Sequence, residues 1–346
     1  MVAITDSDGW VPVTRPEITD IALGGNETNF PGKFFRELAS RDKYLYEQAL
    51  GGDDQSIASA VAFRQLGIAA VAQGRLTLET GVAVSTTDQL AKTVLYYTPY
   101  NGNYVALYDT GLSRWDLYQF TERSLSLSGL AANTNYDIFL WNNSGTLTLQ
   151  AVAWSSSGAG TSTRASAISQ LEGIWVKNSD KRRYLGTIRT TATIGQCEDS
   201  IERRFVYNVP PSVVTRILDV SDSTSHTYTS SVVRNWNNTL VQVQIVLGLD
   251  TGVSVSVSAF HQGGFVYILV NGCDFLGNTG SSSYGTYSIS RTGFLLGGSS
   301  PVIGSPSIGP RPANYRGITF GYNYFHVGEL GSGSFNVARL TVDYEC

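Results

Sequence analysis

Hydrophobic and polar positions follow three different rhythms along this chain. In the last third, apolar side chains recur at every second position. Val253, Val255, Val257 and Ala259 alternate with Ser254, Ser256 and Ser258, and Val241, Val243, Ile245 and Leu247 alternate with Gln242 and Gln244. Ala338, Leu340, Val342 and Tyr344 do the same against Arg339, Thr341 and Asp343. Successive side chains of a strand point to opposite faces, so each run predicts a strand with one face on a core and one in water. Gly- and Ser-rich stretches separate the runs. Residues 285–317 read as a long exposed loop, and Gly331-Ser332-Gly333-Ser334 as a loop ahead of a strand. This pattern predicts an antiparallel sandwich, jelly-roll-like, over residues 209–346.

Residues 75–208 carry a second rhythm of shorter, aromatic-rich strands broken by turn residues. Asn101-Gly102 separates two Tyr-rich runs and Asn143-Ser144-Gly145 separates two more. Both accept the positive φ angles of tight turns, so each predicts a β-hairpin. Trp115, Trp141, Trp154 and Trp175 read as core anchors of this module. Val209-Pro210-Pro211 then predicts a linker, because consecutive prolines cannot continue a central strand.

The third rhythm is helical and confined to residues 1–74. Asn29 and Pro31 suit a helix start. Phe34, Leu38, Leu45 and Ala49 fall near one face of residues 34–50, with Arg36, Glu37, Arg41, Asp42 and Lys43 mostly elsewhere. A second helical run covers 56–72. Two weakly charged helices bury little alone, so this region is expected to pack on another copy or a larger particle. The predicted fold is therefore mainly β: a short N-terminal helical region (1–74) followed by two antiparallel β-sandwich, jelly-roll-like domains at 75–208 and 209–346.

Composition narrows the function classes. Only 15% of the 346 residues are charged while 42% are hydrophobic, the opposite of a disordered chain. A net charge of −4 argues against nucleic acid as a partner, since phosphate binding needs a dense basic face. Lys181-Arg182-Arg183 and Arg203-Arg204 are the basic clusters, and both read as solvated strand ends or subunit contacts. No apolar run reaches the ~20 residues of a membrane helix, so no membrane insertion is expected. The start of the chain lacks the basic and apolar regions of a secretory signal. Cys197, Cys273 and Cys346 have neither disulfide-framework nor zinc spacing and read as buried or incidental thiols made in a reducing cytoplasm, with an inter-subunit disulfide through Cys346 left open.

Candidate chemistry is sparse. His226, His261 and His326 are dispersed and lack metal-ligand spacing, so each is expected to fill an ordinary hydrogen-bonded role. Glu198-Asp199 stands close to Arg203-Arg204 and reads as an ion-pair set, and Asp53-Asp54 as a helix start. No catalytic, cofactor-binding or metal-binding residue is predicted, and no cofactor. One strand carries Phe320, Tyr322, Tyr324 and His326 on a single face, which suits sheet or subunit packing, and alternatively a sugar ring. Tyr315, Arg316, Tyr322 and Tyr324 are the expected surface contacts with a host.

The phrases "LTLETGVAVSTTDQ", "LYYTPYNGNYVALYD", "ANTNYDIFLWNNSGTLTL" and "RRYLGTIRTT" followed by "GQCEDSIERRFVYN" cover somewhat over a third of the chain. Together they resemble a β-rich module of tailed-bacteriophage virion proteins, especially tail- and head-fibre-like ones. The resemblance carries no catalytic motif. It implies a structural protein located in the virion and assembled in the host cytoplasm, a fibre or decoration subunit that is a homotrimer. Residues 1–74 would then attach to other virion proteins, and the distal domain 209–346 would meet host envelope glycan. A carbohydrate-binding adhesin is the alternative reading, and a polysaccharide depolymerase a more distant one.

Overall fold

The computed structural model describes residues 2–4, 13–15, 67–209, 215–239, 241–249, 253–277, 283–290 and 318–345. The chain divides into two compact units, Met1–Gly67 and Ile68–Cys346. In the first, β1 (Val2–Ile4) pairs antiparallel with β2 (Val13–Arg15). The amphipathic stretch 34–50 lies outside the described residues, as do Asp53 and Asp54. Of 56–72, residues 67–69 form a helical turn.

The second unit is mainly β. It opens with β3 (Gly74–Thr77), β4 (Gln89–Lys92), β5 (Val94–Pro99), β6 (Tyr104–Asp109), β7 (Arg114–Gln119) and β8 (Arg123–Ser126). Next come β9 (Asn135–Asn143), β10 (Thr146–Ala153), β11 (Ile168–Leu171), β12 (Ile174–Lys177), β13 (Arg183–Arg189), β14 (Cys197–Asp199), β15 (Arg203–Arg204) and β16 (Val206–Asn208). After the linker come β17 (Thr215–Asp222), β18 (His226–Asn235), β19 (Gln242–Leu247), β20 (Val253–Val270), β21 (Cys273–Gly277), β22 (Ser283–Ser290) and β23 (Gly321–Glu345).

The Asn143-Ser144-Gly145 hairpin forms as expected. Thr146 pairs with Asn143, and Ser144 and Gly145 take φ of 51° and 91°. The Asn101-Gly102 hairpin does not form. β5 pairs with β3 and β8, whereas β6 pairs with β7. The segment before β3 takes the place the two Tyr-rich runs would have shared. Gln73 O accepts from the amides of Tyr100 and Asn101, and Gln73 and Ala106 donate to Tyr104 O and Val71 O. A tight-turn dipeptide therefore connects two sheets, because a third stretch of backbone satisfies the polar groups between them.

Three further expectations need correcting. Part of the expected loop 285–317 is strand, since β22 pairs along β20 from Ser254↔Ser290 to His261↔Ser283. Gly331-Ser332-Gly333-Ser334 lies inside β23, opposite Gly263-Gly264 of β20, where the register shifts. There a Cβ on Gly333 would stand 2.5 Å from the carbonyl oxygens of Gln262 and Gly263, so the close strand approach requires glycine. In the third basic-cluster position, Arg183 is buried rather than solvated.

β19, β20 and β23 bury Val243, Ile245, Leu247, Val255, Val257, Leu340 and Val342, in line with their alternation. Their core also takes in Phe139, Tyr184 and Tyr207 from the preceding module. β15 pairs parallel with β19 (Arg203↔Gln244, Arg204↔Ile245), so one ten-stranded sheet contains strands from both sides of the proline linker. Val209 donates to Leu185 O at 3.0 Å, while Pro210 and Pro211 lie outside the described residues. A second core, including Leu76, Leu95, Ile138, Leu140, Ile188 and Val206, belongs to the 75–208 module.

Candidate functional site

Of the expected contact residues, Tyr315 and Arg316 lie outside the described residues. Tyr322 and Tyr324 come together on β23, ring centroids 6.0 Å apart. Tyr322 is built into the packing. Its hydroxyl donates to Gln244 Oε1 at 2.9 Å, and the Arg189 guanidinium lies 3.7 Å over its ring. Its amide donates to Ser162 Oγ and its carbonyl accepts from Gly160. Burial raises its hydroxyl pKa, and burial lowers Arg189 to about 10. Tyr324 is half-buried, stacked on His326 at 5.7 Å, with its amide donating to Asn271 Oδ1.

His326 is buried, and its Nδ1 makes no hydrogen bond. Burial lowers its pKa from 6.5 to about 4, so the folded protein holds it neutral at pH 7. The unfolded chain therefore takes up this proton first as pH falls. Stability loss should begin near pH 6.5 and continue down to about pH 4. At roughly 1.4 kcal/mol per pH unit the whole loss is about 3–4 kcal/mol. Urea unfolding at neutral and acid pH should show that His326→Phe removes this component. An unchanged acid loss in that variant would exclude His326 as its source.

The other histidines are hydrogen-bonded, as expected. His261 Nδ1 meets Gly263 O at 2.9 Å, and His226 meets Thr224 O and the buried Glu329. The ion-pair set also forms: Arg203 reaches Glu198 at 3.0 Å and Arg204 reaches Asp199 at 3.2 Å. Cys197 is fully buried, its Sγ–H directed at Arg189 O, and burial drives its thiol pKa up. Cys346 lies outside the described residues. Among the described residues no group of three His, Cys, Asp or Glu is placed to hold a metal, and no helix is long and apolar enough to cross a membrane.

A concave site lies elsewhere. The ends of β6, β7 and β9 and the turn before β13 line a cleft of ≈330 Å³. Leu107, Leu140 and Arg183 are its buried lining residues. Tyr108, Tyr118, Trp141 and Asn142 line it half-buried, together with Asp109, Thr110, Asp180, Lys181 and Arg182. Trp115 and Trp154 are core residues, whereas Trp141 and Trp175 are only half-buried. The Arg182 guanidinium lies 4.0 Å over the Trp141 ring and donates to Gln150 Oε1 at 2.7 Å. Arg183 donates to the carbonyls of Ala69 and Ala106, at 2.8 and 3.0 Å. The sequence signal for this cleft is the run Trp141-Asn142-Asn143 at a strand end, read above as core plus turn.

No protein-family model and no curated protein matches the chain. Among solved structures, an insecticidal delta-endotoxin, Cry8Ea1 from Bacillus thuringiensis, is 9% identical. It is matched over 81% of this chain and 55% of the toxin, at a TM-score of 0.23. BuGH86 in complex with neoagarooctaose is 10% identical over 74% of this chain and 33% of that one, at 0.20. The infectious bursal disease virus Gx strain structure is 11% identical over 75% and 76%, at 0.17. The chain thus spans about half of the first and a third of the second, and likenesses this slight carry no functional argument.

Proposed function

We propose that this chain is a structural subunit of a tailed-bacteriophage particle, a fibre or decoration protein that assembles as a homotrimer. The observation that carries the reading is where the resembling phrases fall. They supply β3, β5, β6, β9, β10, β13 and β14 to β16, the strands that enclose the second core and extend the ten-stranded sheet. Ionic groups there form ties between strands and loops: Arg164 to Asp137, Arg189 to Asn135, Arg203 to Glu198 and Arg204 to Asp199. A body braced in this way suits mechanical or coat duty. In this reading residues 1–74 attach to other virion proteins and the opposite end of the chain projects outward.

Light scattering at micromolar concentration should give three chain masses. The mass should persist in 1 M salt, where the Debye length falls to ~3 Å, because contacts between sparsely charged β-surfaces are apolar and hydrogen-bonded. An antibody against residues 75–208 should label intact particles in electron microscopy. A monomer at both salt concentrations, together with unlabelled particles, would overturn the proposal.

A further inference from the structure

We propose that the cleft beside Trp141 binds a saccharide unit. This is a site in the 75–208 module, separate from the Tyr322–Tyr324 face. At ≈330 Å³ the cleft falls at the lower end of the range for small-ligand sites, about 300–1,000 Å³. Tyr108, Tyr118 and Trp141 line it with rings that combine an apolar body and a polar tip, the form suited to a pyranose with its C–H faces and hydroxyl edges.

The polar groups decide the ligand class. The cations are already engaged within the chain. Lys181 Nζ donates to Asn178 O at 3.0 Å, Arg182 pairs with Asp180 at 3.1 Å, and Arg183 caps two backbone carbonyls. Their remaining N–H groups face a lining that also holds the carboxylates of Asp109 and Asp180, which disfavours an anion such as phosphate. The acceptors and hydroxyls are less committed. Tyr118 Oη accepts from Asn142 Nδ2 at 3.1 Å, which leaves its own proton to donate. Asp109 Oδ1 accepts the turn amides of Gly111 and Leu112 at 2.7 and 3.0 Å, fixing the carboxylate at the edge of the cleft with its second oxygen available. A hydroxyl-rich neutral ligand matches a carboxylate acceptor, a phenolic donor and an aromatic wall. The wall is also pre-formed, since the Arg182 guanidinium lies 4.0 Å over the Trp141 ring and Asn142 Nδ2 donates to Tyr118 Oη.

The test uses the full chain and intrinsic tryptophan fluorescence, titrated separately with galactose, glucose, mannose and N-acetylglucosamine, and with inorganic phosphate as the anionic control. At least one sugar should shift the emission saturably, and phosphate should not. Trp141→Ala should abolish binding in a glycan array. Tyr118→Phe, which removes one hydroxyl and leaves the ring, should weaken the same sugar by roughly 3- to 10-fold, the range of one lost hydrogen bond. If Trp141→Ala does not fold by near-UV circular dichroism, Tyr118→Phe decides. Absence of sugar binding to the unmodified chain, equal binding by both variants, or a preference for phosphate would each overturn the proposal. The oligomeric state of the same sample is read separately, so the result stands apart from the virion reading.

Discussion

Arg164→Ala should lower the unfolding free energy by about 3–5 kcal/mol, the cost of leaving a buried carboxylate without its cation. Arg164 follows β10 in the chain, and its side chain gathers acceptors from three places. Nε donates to Asp137 Oδ2 at 2.7 Å, and Nη2 reaches Asp137 Oδ1 and Tyr184 Oη, both at 3.3 Å. Nη2 also donates to Gly248 O, beyond the proline linker. The guanidinium lies 4.5 Å over the Trp154 ring. Asp137 is 2% exposed, and without Arg164 it would keep the Thr187 hydroxyl at 2.7 Å but no cation. Arg164→Lys should recover little, because one ammonium lacks the fork of donors that reaches a carboxylate, a phenol and a carbonyl together. Urea denaturation checks this through a shift in midpoint at unchanged slope. A loss under about 1 kcal/mol would place Arg164 with ordinary exposed ion pairs.

That network also shows what could be read from the sequence. The alternation in 253–259 and 338–344 revealed two central strands, because a period of two reports directly on which face is buried. The Asn143-Ser144-Gly145 turn was legible for a local reason, since its φ angles depend on the residues themselves. Asn101-Gly102 has equally good turn chemistry, yet its outcome was decided by backbone from 71–73 that no local pattern announces. A Lys-Arg-Arg run looks solvated, but strand alternation sends Arg182 over Trp141 and Arg183 inward to the carbonyls of Ala69 and Ala106. The cleft was hidden for the same reason. Its lining comes from 107–110, 118, 140–142 and 180–183, separations that only the sheet order brings together.

The second large effect belongs to Glu329, which is fully buried in β23. Its carboxylate meets His226 Nε2 at 2.5 Å, accepts from Arg234 Nε at 2.6 Å and takes the Asn237 amide at 3.3 Å. These partners lie on β18 and the short 3-10 helix Trp236–Asn238 that follows it. β18 loses register against β23 between Ser230 and Arg234, so the carboxylate secures a stretch where the backbone ladder is interrupted. The His226 ring is fixed too, stacked on Phe335 at 5.6 Å and edge-on to Trp236 at 5.2 Å. Glu329→Ala should cost about 2–3 kcal/mol, in the range of charge-assisted hydrogen bonds. This is less than for Arg164, because Arg234 is a quarter exposed and can turn to water. Glu329→Gln keeps the shape and two of the acceptor contacts, so it should lose about half as much. In a double-mutant cycle, Glu329→Ala and Arg234→Ala should show a coupling of about 1 kcal/mol or more. A coupling indistinguishable from zero would mean that packing around Phe335 and Trp236 holds β18 in place, and that the carboxylate only fills the site.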